Sequence, residues 1–233
     1  MRPLLIVPTY NEVDNVARVA AEFLAPVPGS ELLFVDDASP DGTGELIDRI
    51  CAEDSRVHVL HRAGKLGLGT AYLDGFRWAL ARDYPLIVEM DADFSHDPRY
   101  LPEIVAAAEA GADVVVGSRY IGGGGTRNWG VGRQLISRAG GRYARTVLGV
   151  DVRDMTAGFV CYRREALERI DLAAIKSNGY SFQIEMKYRA HRAGLRIVEV
   201  PIVFEDRRVG QSKMSRAIVA EALWMVWKLR LGR

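Results

Sequence analysis

Five continuously apolar runs punctuate the first half of the chain, with segments long enough for helices between them: LLIVP at 4–8, LLFVDD at 32–37, VHVL at 57–60, LIVEMDAD at 86–93 and DVVVGS at 113–118. Runs that do not alternate with polar residues mark strands buried on both faces. The intervening segments 13–23, 43–52, 69–82 and 98–110 read as helices long enough to cross between parallel strands. This rhythm predicts a doubly wound α/β sheet, whose ligands sit outside the carboxyl ends of the strands. A length of 233 residues suits one such domain, and a composition of 48% hydrophobic and 26% charged residues excludes a disordered chain. Cys51 and Cys161 lie far apart in sequence, show no metal-ligand spacing, and read as reduced thiols.

The polar clusters fall where a sheet of this kind puts its site. Thr9 to Glu12 follow the first strand, Asp36 and Asp37 end the second, and Asp91, Ala92 and Asp93 end the fourth. Neighbouring carboxylates repel one another, so the last pair implies either a bound cation or a raised pKa. Mg2+ or Mn2+ fits, because both take oxygen ligands and often need only one or two carboxylates beside substrate phosphates. The stretch from Asp37 to Asp41, with Ser39 and Gly42, has a second reading as a turn and helix cap.

Beyond Ser118 the rhythm breaks. A glycine run occupies 122–125, and no acidic residue stands between Asp113 and Asp151. That interval carries Arg119, Arg127, Arg133, Arg138, Arg142 and Arg145 among Trp129, Val131, Leu135, Ile136, Tyr143 and Val147. A basic amphipathic element with tryptophan suits an anionic membrane surface. Strands are expected at 158–163 and 197–204, a helix at 181–193, a polar loop at 205–212 and a last helix carrying Trp224, Met225 and Trp227. That last helix reads equally as one packed on the sheet, its terminal Lys228, Arg230 and Arg233 favoured by the helix dipole. No run approaches the ~20 apolar residues of a spanning helix, and no secretory signal opens the chain. The expectation is a cytoplasmic protein, peripheral on a membrane or held there by a separate anchoring protein or a further segment. A net charge of +1, from 31 basic and 30 acidic residues, argues against nucleic acid as a partner.

Taken together, PTYNE at 8–12, VDDASPDGT at 35–43, KLGLGTAY at 65–72, MDADFSH at 90–96 and GSRY at 117–120 resemble the family 2 glycosyltransferases of the GT-A fold. DMTAGF at 154–159, QIEM at 183–186 and RRVGQSK at 207–213 resemble the polyprenol-phosphate (dolichol-phosphate) mannose synthases within it. The resemblance covers essentially the whole chain. It implies one GT-A catalytic domain, 1–233, with a nucleotide-sugar half (1–118) and an acceptor and membrane half (119–233). The implied reaction is inverting transfer of mannose from GDP-mannose to a polyprenyl phosphate, with Mg2+ or Mn2+. A sibling using UDP-glucose, and a catalytically silent nucleotide-sugar-binding scaffold, are the alternatives. A nucleotidyltransferase would carry a glycine-rich phosphate loop after the first strand, and PTYNE is not one.

By position, the resemblance implies that Pro8, Tyr10, Glu12, Val35 and Asp37 hold the base and ribose. It assigns Asp91 and Ala92 to the nucleotide sugar and Asp93 to the metal, with Ser95 a weaker metal position. Arg119, Arg207 and Lys213 are the implied cations around the diphosphate and incoming phosphate. Asp154 is left with two readings, orienting the acceptor or tethering the chain after it. Gln183 and Glu185 are expected to line the acceptor side, with Arg133 and Arg138 towards the membrane. His96 is expected to make a structural hydrogen bond, Phe76 and Trp78 to be core, and the 65–69 loop to start a helix near the nucleotide, with Lys65 a possible contact.

Overall fold

The computed structural model describes residues 1–177, 179–205 and 224–231. The strands are β1 (Pro3–Thr9), β2 (Glu31–Asp36), β3 (Val57–His61), β4 (Leu86–Glu89), β5 (Val114–Ser118), β6 (Gly125–Arg127), β7 (Val160–Arg163), β8 (Ile197–Pro201) and β9 (Val203–Glu205). The helices are α1 (Val16–Leu24), α2 (Thr43–Glu53), α3 (Leu68–Leu80), α4 (Leu101–Glu109), α5 (Val131–Leu148), α6 (Arg164–Arg169), α7 (Gly179–Arg192) and α8 (224–230).

Seven strands form one sheet in the order β3-β2-β1-β4-β7-β5-β8, parallel throughout except for β7, which runs against both β4 and β5. The β1 run shows why its sequence lacks alternation. Leu4 and Ile6 enter one buried cluster with Phe76 and Tyr162, while Leu5 and Val7 enter another with Val19, Phe23 and Ile104. Successive side chains of a strand point to opposite faces. Here both faces are covered, by α3 and α7 on one side and by α1 and α4 on the other.

Three boundaries differ from the expectation, each for a visible reason. The fourth apolar run stops pairing at Glu89; Met90 makes one more bond to Ile6 O, and Asp91 to Asp93 lie in the loop beyond. The run expected as one strand over 197–204 is two strands in two sheets. Ile202 N donates to Ser118 O in the main sheet, while Ile202 O accepts from Gly125 N at the start of the β6–β9 ladder. The helix expected from 98 opens as a 3-10 turn, Pro98–Tyr100, before α4.

Helix α5 is embedded only at its end. Its buried residues are Gly141, Ala144 and Leu148, and no described residue of its first ten is buried. Helix α8 places Val226 in the core and leaves Trp224 and Trp227 exposed.

Candidate active site

Because β2, β1 and β4 are adjacent and parallel, the chain segments leaving their carboxyl ends converge on one edge of the sheet. Asp36 is inside: Oδ1 accepts from Thr9 Oγ1 (3.0 Å) and Ser39 Oγ (2.6 Å), and Oδ2 from Ser39 N (3.0 Å). Asp37 accepts from the Arg62 guanidinium, from Leu66 N (3.2 Å) and from Gly67 N (3.3 Å). Arg62, itself buried, also reaches Asp74 (3.0 Å) and Thr70 (2.7 Å). Asp37 therefore anchors the loop that opens α3, and Lys65 in that loop lies 3.8 Å from the centre of the Tyr10 ring. Turn-and-cap chemistry is present as well, at Asp41, whose Oδ1 accepts from Thr43 N and Oγ1. Glu12 accepts from Asn15, and its backbone N–H donates to Thr43 Oγ1. Val35 is buried in the core, and its backbone pairs with Pro8.

The turn after β4 is held from three sides. Asp91 N donates to His96 Nδ1 (3.1 Å), the Tyr72 hydroxyl is shared between Met90 O (3.1 Å) and Asp91 Oδ1 (3.3 Å), and Ser95 N donates to Asp93 Oδ1 (3.0 Å). Phe94 has φ +60°, a left-handed conformation that is strained for a bulky residue and clusters at functional sites. An edge-on contact with Phe23 and the Arg18 guanidinium 4.1 Å over its ring hold it there. Ala92 is buried. His96 is buried between Phe159 and Phe204, with centroids 5.3 and 5.7 Å away, and burial pushes its pKa down. Its Nδ1 accepts a hydrogen bond, so the ring is neutral, in the structural role expected of it.

The donor set suits a hard divalent cation. Asp91 and Asp93 offer carboxylate oxygens, and the buried Ser95 Oγ has no hydrogen-bond partner among the described residues. These residues contain no group of three acidic, histidine or cysteine side chains placed for a metal, so substrate oxygens and water would complete its shell.

Arg119 leaves β5 and turns inward. Its Nε donates to Asp154 Oδ2 and its Nη2 to Asp154 Oδ1, both at 2.7 Å; its backbone N–H adds a bond to Oδ2, and Nη2 reaches Thr156 Oγ1. Burial alone would raise the Asp154 pKa, but the Arg119 charge and its hydrogen bonds hold it below the usual range. Both carboxylate oxygens of Asp154 are thus bonded to Arg119. Tyr120, Trp129 and Phe204 surround the Arg119 guanidinium at 5.2, 5.5 and 5.4 Å. A Cβ on Gly124 would lie 2.5 Å from Ser118 O and 3.0 Å from the Arg119 carbonyl carbon, so the glycine run is what lets this loop fold back on Arg119. Arg133 stacks over Trp129 at 4.0 Å and Arg138 lies 5.8 Å from the Tyr120 ring centre. Arg207 and Lys213 lie outside the described residues.

Gln183 and Glu185 are placed differently from the expectation that they line the acceptor side. Both are buried: Gln183 donates to Glu89 (2.7 Å), and Glu185 accepts from the Ser177 hydroxyl and from Arg189 (2.8 Å). Lys187, one turn beyond Gln183, is fully buried too, and its Nζ donates to Ala157 O at 2.7 Å. Burial pushes Glu89 up and Lys187 down from their ordinary pKa values. Sequence reasoning passed over Glu89, Lys187, Arg62 and Tyr72. The signal for Glu89 was a lone charge inside an apolar run, and for Lys187 its spacing of four from Gln183.

The model of Glycosyl transferase family 2 matches residues 4–171. This chain belongs to that family. The undecaprenyl-phosphate mannosyltransferase of Micrococcus luteus is 52% identical to this glycosyltransferase over 223 residues, covering 96% of this chain and 91% of the relative. The polyprenol monophosphomannose synthase of Mycolicibacterium smegmatis is 49% identical over 232 residues, covering 98% and 88%. Among solved structures, glucosyl-3-phosphoglycerate synthase from Mycobacterium tuberculosis, in complex with Mn2+, UDP and glucosyl-3-phosphoglycerate, superposes with a TM-score of 0.69 at 21% identity, covering 99% of this chain and 80% of that one. The shared architecture is the GT-A fold expected from the motifs.

Proposed function

We propose that this glycosyltransferase moves mannose from GDP-mannose to a polyprenyl monophosphate, giving polyprenyl-phosphate β-mannose and GDP. The observation that carries the reading is a neighbour shared by opposite charges: Phe204 lies against both the Arg119 guanidinium and His96, and His96 Nδ1 accepts from Asp91 N. A carboxylate pair suited to a cation and a guanidinium suited to phosphate are what departure of a nucleoside diphosphate requires. The names of the two relatives near 50% identity support mannose and a polyprenyl phosphate as the transferred sugar and its acceptor.

Asp91 and Asp93, with Ser95, would hold Mg2+ or Mn2+, which when bound neutralises charge on the diphosphate. The chain's own groups do the rest. Tyr10, Glu12 and the Asp37-anchored loop bound the nucleotide edge, and Arg119, fixed by Asp154, faces the phosphates. Arg207 and Lys213 join them in this reading. The acceptor phosphate has its second pKa near ~6 and is ionised at neutral pH, so its oxygen attacks the anomeric carbon without a protein base. The bond from that carbon to the diphosphate breaks, and its electron pair stays on GDP.

The acceptor is a membrane lipid, and α5 supplies a surface for it. Val131, Leu135 and Ile136 are 73%, 62% and 51% exposed on its unburied half, with Arg133, Arg138 and Arg142 among them. Apolar side chains beside arginines on one helix suit insertion at an anionic interface. None of the described helices is long and apolar enough to cross a membrane.

The test is incubation with labelled GDP-mannose or UDP-glucose, a short polyprenyl phosphate and Mn2+. Lipid-extractable label from GDP-mannose, abolished by a chelator, is the expected result. Label from UDP-glucose alone, or from neither, overturns the reading.

A further inference from the structure

Three layers of side chain and backbone stand behind the carboxylate turn. On α7, Lys187 Nζ donates to Ala157 O (2.7 Å) and lies 3.3 Å from both Gln183 O and Gln183 Oε1, while Gln183 Nε2 donates to Glu89 Oε2 (2.7 Å). The next layer is the 154–158 loop, whose first residue grips Arg119 and whose last, Gly158, is pressed between two side chains. A Cβ there would lie 3.3 Å from His96 Cε1 and 3.8 Å from Gln183 Nε2. Behind Gly158 stands His96, and His96 Nδ1 holds Asp91 N.

We infer that Lys187 and Gln183 are positioning residues: together they clamp the 154–158 loop between α7 and His96, and so set Arg119 and the Asp91–Asp93 turn relative to one another. Neither side chain reaches the open edge, since Lys187 is 0% and Gln183 4% exposed. A buried ammonium and amide are costly unless hydrogen-bonded, and an apolar side chain of similar volume would fill the space at no such cost. What an apolar residue would not do is hold Ala157 O and Glu89 at fixed distances. Both ends of this clamp lead to the site: Glu89 is two residues ahead of Asp91 on β4, and Ala157 follows the Asp154 tether of Arg119. Groups behind a metal or phosphate site act by orienting the groups that touch it.

The inference rests on the reading that Asp91, Asp93 and Arg119 form the site, so its test includes readouts that need no sugar transfer. Lys187→Met and Gln183→Leu are compared with the wild type by thermal melting, by Mn2+ binding followed through the EPR signal of free Mn2+, by 15N NMR of His96 and by steady-state kinetics. The clamp predicts folded variants with Mn2+ binding weakened about 10- to 100-fold, a loss of the same order in kcat, and an unchanged acceptor KM. It also predicts a shifted His96 Nδ1 resonance. A folded variant with wild-type Mn2+ affinity and an unmoved His96 signal overturns it, whatever the melting temperature. If Lys187→Met fails to fold, Gln183→Leu, which keeps the ammonium and its bond to Ala157, decides alone. Weakened Mn2+ binding and a shifted His96 signal in a protein that transfers no mannose would uphold the clamp and overturn only the assigned reaction.

Discussion

Asp154 grips Arg119 through both carboxylate oxygens at 2.7 Å, and the two side chains are 0% and 7% exposed. The pair is bidentate and largely out of water, the geometry in which a guanidinium and a carboxylate orient each other most strongly. Glu199 reinforces it from behind, accepting from the backbone N–H groups of Arg153 and Asp154. Both oxygens of Asp154 are committed to the arginine, which they hold in one orientation.

Replacing Asp154 with Asn should therefore act on stability and on phosphate affinity together. It leaves a buried guanidinium without its counter-charge, at a cost of about 3 kcal/mol or more. Because the folded-state pKa of Asp154 lies below its ordinary value of 3.8, its contribution is present above that pH and is lost as pH falls through the folded-state value. Urea unfolding of wild type and Asp154→Asn should show a gap that is full at pH 7 and narrows on acidification below about pH 4. A gap independent of pH would contradict the assigned ion pair.

Asp93→Asn and Asp91→Asn should separate activity from stability. Their turn is held by His96, Tyr72 and Ser95 through backbone and single-oxygen contacts that an amide largely preserves. Turnover should fall at least about 100-fold, the scale of losing one preorganised electrostatic group, with little change in melting temperature. Chelation should add nothing to the residual rate. A variant that kept wild-type turnover would remove that carboxylate from the site.

Gly124→Ala tests the close approach of the glycine loop. The added methyl would meet backbone at Ser118 and Arg119, which yields less readily than a side chain end. Overpacking of this kind typically costs about 1–3 kcal/mol. The donor KM should rise as well, because Arg119 is displaced; Gly122→Ala, with nothing within 4 Å of its Cβ, is the matched control.

How much of this was legible beforehand follows the range of the interactions. The β1, β2 and β5 runs were readable because a strand covered on both faces writes its burial into consecutive residues. The convergence of Asp37 with Asp91 and Asp93 followed from strand ends alone. The insertion of β7 was not readable, since its pairing of Val160–Arg163 with Leu86–Glu89 joins residues more than seventy apart and leaves no local mark. Nor was the direction of Gln183 and Glu185: a helix pattern places polar residues on a helix, but here they turn inward to partners, Glu89 and Ser177, supplied by other segments. Arg207 and Lys213, the motif's remaining cations, fall outside the described residues.

The membrane surface assigned to α5 predicts that Leu135→Glu with Ile136→Glu, or Arg138→Glu with Arg142→Glu, weakens flotation with liposomes containing anionic lipid. All four positions are exposed and outside the core, so melting should change by no more than about 0.5 kcal/mol in stability. Flotation unaffected by both pairs would move the membrane contact elsewhere.

The central claim is a single displacement by an acceptor oxygen that is already ionised, in a site whose interior carboxylates are committed to holding other groups. The anomeric configuration of the transferred mannose tests it most directly. NMR of the lipid product made from GDP-α-mannose should show only the β-linkage, and an α-linked product would require a covalent or front-side route that contradicts the account.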